Sequence, residues 1–320
     1  MLIIEREKSM RQLCLEAILK RLPESDEGYE YFNEVYNQVR KGFEGELKAD
    51  REWKELTIPS KYFLFQNLET ENPFGYSHQM DTLFVCPHFL WLLEFKNISG
   101  RIDFQVDKNQ FIRTRFDGTV ESLRNPIDQI ERHARFINGI LTKLHISIPL
   151  VFSIVIIDDT TIIGAVPKRV SVFHLSGLQN KLNNLYQQYP NTISPKNMDK
   201  LKEYLIKIQK KKSWEPNLDR GKLKTGALCK NCDYKIRMNY EFGRFICPKC
   251  NTKSIDVLIE ALHDYSLLYK PWITKREFSE FFGIPINSTY RIIKKLPLEA
   301  VGKNSGRVYK IPKDILKYKF

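Results

Sequence analysis

Long apolar runs are absent from this 320-residue chain. The longest near-apolar stretch, residues 148–157, is too short for a bilayer-spanning helix of about 20 residues and contains Pro149. The opening MLIIEREKSMRQ has a few apolar residues and then charge, which is not the pattern of a secretory leader. These absences set the expectation of a soluble, cytoplasmic protein. Cysteine is scarce, six in all, which excludes a disulfide-dense scaffold. There is no internal repeat and no low-complexity tract beyond short lysine runs, which excludes a solenoid.

Acid is short in one region only. Residues 1–200 carry 25 Lys and Arg against 26 Asp and Glu, whereas residues 201–320 carry 26 against 12. The net charge of +13 therefore resides in the last 120 residues, and points there to a polyanionic partner such as nucleic acid. Hydrophobic residues make up 42%, enough for packed cores, and the length suits two or three domains.

Apolar residues at helical spacing run through 3–22 and stop before Pro23, and 26–56 is charged and helical in pattern. Within the latter lies KGFEGE; Gly42 and Gly45 each weaken a helix interior by about 1 kcal/mol, so either the helix begins there or a glycine admits a close neighbour. Short β-type segments follow: KYFLFQNL (61–68), a turn near Asn72–Gly75, DTLFVCPHFLWLLEFK (81–96) and the alternating 100–116. Residues 125–144 switch to helical period, with Asn125 as N-cap and Pro126 in the first turn. The β-branched run 148–158 reads as a strand covered on both faces. This order predicts an α/β fold, a mixed sheet flanked by helices.

The segment 81–96 places two acids and a lysine in an apolar hairpin, where unpaired charge is costly. A symmetric reversal about Pro87–His88 sets Asp81 opposite Glu94, with Cβ atoms about 5 Å apart, and puts Lys96 on the same face. Two carboxylates so close call for a cation. A divalent ion with oxygen ligands meets that need and suits phosphodiester hydrolysis, with Lys96 beside the attacking water. A cross-strand charge cluster with Lys96 pairing one acid is the plainer alternative.

The blocks KGFEGE, HQMDTLFV, WLLEFKN and NPIDQIERH, in this order, resemble the NERD (nuclease-related domain) family, itself grouped with the PD-(D/E)xK nucleases; the resemblance spans about residues 1–160. It implies a metal-dependent nuclease in which Glu46, Asp81 and Glu94 hold Mg²⁺ or Mn²⁺, Lys96 assists water, and Gln129 sits on the helix beside the site. Glu44 competes with Glu46 for the helix acid. The hairpin tip Pro87–His88–Phe89 departs from the glycine common in the family. His78 and His88 read as surface or turn residues; His133, one turn beyond Gln129, is a candidate phosphate contact.

Cys229, Cys232, Cys247 and Cys250 form two C-x-x-C knuckles separated by fourteen residues, which predicts a Cys₄ zinc ribbon with a structural Zn²⁺. Cys14 and Cys86 lie in apolar surroundings and read as small core residues. From about residue 255 the sequence reads as three helices and a basic hairpin, capped at Thr274 with Glu277 and turned at Gly283. It resembles winged-helix DNA-binding domains; the third helix would present Ser288, Thr289, Arg291 and Lys295 to a major groove and the wing Lys303 and Arg307 to phosphates.

The predicted organisation is a nuclease-like domain over 1–175, a helical and basic linker over 176–225, the ribbon over 226–254 and the winged helix over 255–320. The function expected is metal-dependent cleavage of DNA. A non-catalytic DNA-binding protein on a nuclease-like fold and an RNA-directed nuclease are the alternatives. Double-strand cutting would take two sites, which a dimer would supply.

Overall fold

The computed structural model describes residues 1–303 and 306–319. The chain forms two compact units, one of Met1–Lys8 with Arg40–Lys212, the other of Ser9–Val39 with Ser213–Phe320. The boundary expected at residue 175 falls inside the first unit, and the expected linker is divided between the two.

In the first unit, β1 (Leu2–Ile4) opens the chain as a strand. A helix from residue 3 is therefore corrected: the helix begins only at α1 (Met10–Arg21), where the Ser9 hydroxyl accepts from Gln12 N, while Leu2 and Ile4 pair with a sheet edge. α2 (Tyr29–Glu55) runs through both glycines of KGFEGE. A Cβ at Gly45 would stand 2.9 Å from the Asn97 side chain, whereas nothing lies within 4 Å of one at Gly42. Gly45 is thus the glycine that admits a neighbour.

β2 (Phe63–Glu71), β3 (Ser77–Val85) and β4 (Leu90–Lys96) form an antiparallel meander. β8 (Leu150–Ile156) pairs parallel to β4, and β10 (Ser171–His174) parallel to β8, while β5 (Arg101–Gln105), β6 (Gln110–Thr114), β7 (Val120–Leu123) and β9 (Ile162–Ile163) build a separate four-stranded sheet. The main sheet, ordered β1-β2-β3-β4-β8-β10, is mixed, as the sequence predicts. Helix α3 (Pro126–Leu144), with Asn125 as its cap, and α5 (Pro195–Lys207) pack Ile130, Ile137 and Leu201 against Phe65, Leu83 and Leu92 on one face. On the other, α2 and α4 (Leu178–Gln188) set Ala49, Trp53 and Leu182 against Phe84, Trp91 and Phe95. Alternation along β3 and β4 sends these two residue sets to opposite sides.

In the second unit, β11 (Asn239–Glu241), β12 (Arg244–Ile246) and β13 (Lys253–Ser254) make an antiparallel sheet. Then come α6 (Val257–Leu268), β14 (Trp272–Thr274), α7 (Lys275–Phe282), α8 (Ile286–Ile293) and the strands β15 (Glu299–Val301) and β16 (Val308–Lys310). Thr274 and Glu277 form the expected capping box, and Gly283 ends α7 at φ +66°. The strand β14 was not foreseen; it pairs with β16 and completes a three-stranded sheet. Part of the expected wing, Asn304 and Ser305, lies outside the described residues. One core runs from Cys229 and Phe245 through Leu262 and Phe282 to Ile315, so the cysteine segment and the helical end share an interior. Leu223 and Trp214, in the expected linker, are packed with Leu15 and Ile18 of α1. Arg21, 1% exposed, donates 2.9 Å to Asp264 and to the carbonyls of Lys224 and Gly226. Among the described residues no helix is long and apolar enough to cross a membrane.

Candidate active site

The β3–β4 ladder runs from Val85 opposite Leu90 to Thr82 opposite Leu93, the register expected for a symmetric turn at Pro87–His88. One step further in that register stand Asp81 and Glu94. The β2–β3 ladder pairs Gln66 with Thr82 and Leu68 with Met80 but skips the rung between, where Asn67 adopts φ +54°. That left-handed residue interrupts the ladder opposite Asp81. The Asp81 carbonyl instead accepts 2.7 Å from Arg6 Nη2, and its Oδ2 accepts 2.8 Å from Phe95 N.

Arg6 organises the acids. Its Nη1 stands 2.6 Å from Glu46 Oε2, its Nε 2.7 Å from Asp50 Oδ2 and its Nη2 3.2 Å from Asp50 Oδ1. Lys96 Nζ donates 2.6 Å to Glu94 Oε1. Asp81 and Glu94 are buried, 7% and 2% exposed, and Glu46 is half-buried. Burial, and then the charge of Asp81, push the Glu46 and Glu94 carboxyls up to about 8. Burial pulls the Lys96 ammonium down, but Glu94 and Asp81 outweigh it and hold its pKa above the ordinary value. Asp50 is raised too, chiefly by burial. Four carboxylates thus share two cations, and their oxygens are the donor set a hard divalent ion takes. Glu46, Asp81 and Glu94 are not closed up: among the described residues only the four cysteines bring three or more such ligand atoms within 4.8 Å of one another.

Glu44, the rival helix acid, is exposed. It lines a cleft of about 410 Å³ beside Arg6, Asp50, Trp53 and Gln66, and pairs with Arg40 at 3.8 Å. Gln129 is half-buried on α3. His78 corrects the expectation of a surface residue: it is 4% exposed, stacks on Phe136 and hydrogen-bonds His133 through Nδ1 at 3.1 Å. Burial, then Arg132, bring His78 down to about 4, and the same causes bring His133 to about 3, so both rings are neutral at pH 7. His133 Nε2 is buried without a partner. His88, in the turn, bonds the Tyr189 carbonyl at 3.0 Å. Arg6 and Asp50 were not picked out in the sequence. A signal existed for Asp50, which lies one helical turn beyond Glu46, but none for Arg6.

The four cysteine sulfurs lie within 4.8 Å of one another, with Cys229 to Cys250 at 3.5 Å and Cys232 to Cys247 at 3.9 Å. Four sulfurs about 2.3 Å from a common centre stand about 3.8 Å apart, so the cluster can hold a zinc ion. On α8, Ser288 is half-buried and Arg291 exposed, and Lys295, just beyond the helix, is exposed too. Thr289 points inward instead: it is fully buried and its hydroxyl bonds the Pro285 carbonyl, which removes it from any groove. Lys303 is exposed; Arg307 is half-buried with Nε unpartnered.

No curated protein and no solved structure matched the chain. Residues 41–157 match the family model described as NERD, nuclease-related domain, a span that includes Glu46, Asp81, Glu94, Lys96 and Gln129. By this match, residues 41–157 are a NERD nuclease-related domain.

Proposed function

We propose that the protein is a metal-dependent nuclease acting on DNA, with the second unit supplying affinity. The observation that supports this most is the set of buried Asp81 and Glu94 and half-buried Glu46, with Lys96 on Glu94, inside a nuclease-related domain. Mg²⁺ or Mn²⁺ bound among the three acids would supply the positive charge that polarises a phosphodiester and acidifies an attacking water. Lys96, steered by Glu94, donates to that water or to the oxygen on which charge develops. Gln129 orients the phosphate from α3. The apolar residues of β3 and β4 fix the acids in place and keep bulk water from them.

In the second unit, residues 213–320 carry 21 Lys and Arg against 11 Asp and Glu, a basic excess that supports DNA binding through Ser288 and Arg291 of α8 and Lys295 just beyond it, in a winged-helix arrangement with Lys303 and Arg307 on the hairpin. The zinc ion held by the four cysteines is structural, because all four ligand positions are filled by protein.

A second reading, a non-catalytic DNA-binding protein, is favoured by one observation: Arg6 already neutralises Glu46. Incubation with labelled duplex, single-stranded DNA and RNA, with and without Mg²⁺ or Mn²⁺, decides. Metal-dependent cutting of DNA that falls about a hundredfold or more in Glu94→Ala and Lys96→Ala is the expected result. Salt-sensitive binding with no cutting supports the second reading, and cutting of RNA alone assigns the substrate to RNA.

A further inference from the structure

The loop between β2 and β3 carries two aromatic rings in solvent. Phe74 is 85% and Tyr76 69% exposed. The loop is nonetheless tightly built. Asn72 Oδ1 accepts 3.0 Å from both Phe74 N and Tyr76 N, Asn72 N donates 2.9 Å to the Tyr76 carbonyl, and Gly75 N donates 3.0 Å to the Asn72 carbonyl. Gly75, at φ +83°, supplies the left-handed turn. Exposing two large rings on a loop fixed by four hydrogen bonds brings no stability to the fold, yet spares most of the entropy that ordering them on a partner would cost.

The surroundings say what partner fits. Ser77, the first residue of β3, accepts 3.0 Å through its carbonyl from Arg132 Nη1 of α3. Arg132 keeps company with Arg124 and Arg135, whose charges push its pKa below the ordinary value after burial does, while Glu94 pulls it up. Arg132 thus joins the aromatic loop, through Ser77, to helix α3, where Arg135 lies one turn further on. Near the loop, Glu71 is held by Lys210 at 2.8 Å, so the acid there is neutralised. Rings beside clustered cations are the elements that bind unpaired nucleic acid: every base offers a face to stack, and the backbone offers phosphates to the arginines.

We propose that Phe74 and Tyr76 form a stacking platform for unpaired bases, which makes the substrate of the acid cluster a nucleic acid with a single-stranded segment rather than a continuous duplex. The inference rests on the nuclease reading and names its substrate class. Phe74 and Tyr76 take the bases, and Arg124, Arg132 and Arg135 take the phosphates that lead towards Glu94 and Lys96.

The test is fluorescence anisotropy with the full chain, free of divalent ions, on a labelled oligodeoxythymidine and on a blunt duplex of equal length. Phe74→Ala with Tyr76→Ala is expected to weaken single-strand binding about thirtyfold, two bases' worth of stacking, and duplex binding less than about threefold. Phe74→Trp with Tyr76→Trp is expected to keep single-strand binding, which separates loss of stacking from loss of fold. Equal losses on both ligands, or no loss on the single strand, overturn the platform; the latter would leave the rings to a protein partner. Cleavage is scored separately with Mg²⁺. Selective single-strand loss in a chain that cuts nothing retires the nuclease and keeps the platform, and cutting without selective loss does the reverse.

Discussion

Arg6 Nη1 lies 2.6 Å from Glu46 Oε2, and the two residues are forty positions apart in the chain. The guanidinium is 1% exposed and also holds both oxygens of Asp50. Removing it leaves carboxylates without their cation in a low-dielectric site. Arg6→Ala is expected to cost about 3–5 kcal/mol in metal-free buffer, read by thermal unfolding. Mg²⁺ should return part of that loss if Glu46 and its neighbours hold the ion. An equal loss with and without Mg²⁺ would make Arg6 purely structural.

The acids and the histidine pair set opposite pH limbs. Glu46 and Glu94, raised to about 8, bind protons in the folded state that the unfolded chain has released, so their contribution is lost as pH rises from about 4.5 to about 8. His78 and His133, lowered to about 4 and 3, stay neutral where the unfolded chain is protonated, so their contribution is lost as pH falls below about 6.5. Between about 6.5 and 8 the acids slope and these histidines do not. Metal-free stability should therefore decline across that window, and Glu94→Gln should flatten the decline in denaturant titrations.

The two glycines of KGFEGE should respond with opposite signs. Gly42→Ala meets nothing within 4 Å and should stabilise α2 by up to about 1 kcal/mol. Gly45→Ala drives a methyl to 2.9 Å from Asn97, directly after Lys96, and should destabilise by about 1–3 kcal/mol despite the same gain in helix propensity. Chemical denaturation of the two variants checks the difference, and equal signs would contradict the packing.

Elemental analysis should find about one zinc per chain. Cys247→Ser should release it. Because Cys229 and Cys247 share a core with Phe245 and Phe282, release should loosen α6 to α8 as well, visible as faster amide exchange there. Protection unchanged in those helices would show that the metal stabilises only its own hairpin.

The parts of the site legible in sequence were those set by local rules. Alternation along 81–96 and a tip centred on Pro87–His88 set the register from Val85 opposite Leu90 to Thr82 opposite Leu93, one step short of Asp81 and Glu94. Cysteine spacing fixed the sulfur cluster, and Asn125 and Thr274 fixed two helix starts. What escaped depends on tertiary neighbours. Leu2–Ile4 is too short for its period to tell strand from helix, and becomes a strand only because β2 offers an edge. Arg6 reads as one more charge in IEREK until the fold turns it inward. His78 looks like a loop residue because its partner His133 lies 55 positions away. Thr289 has the chemistry of a base-contacting residue, but the helix phase that buries Ile292 and Ile293 buries it too.

Residues 9–39 are made before residues 40–212, yet the interior they join is completed by residues 213–320, which are made after them. Until then Leu15 and Ile18 of α1 and Leu22 after it lack Leu223 and Leu268, and Arg21 lacks Asp264. Synthesis thus holds an uncovered apolar helix while residues 40–212 are made, a window in which a chaperone has something to grip. A chain stopped at residue 212 would be caught permanently in that state. Loss of DNA binding in such a truncation would report misfolding as readily as a missing interface, so the second unit is better probed by single substitutions at Arg291, Lys295 and Lys303 in the intact protein.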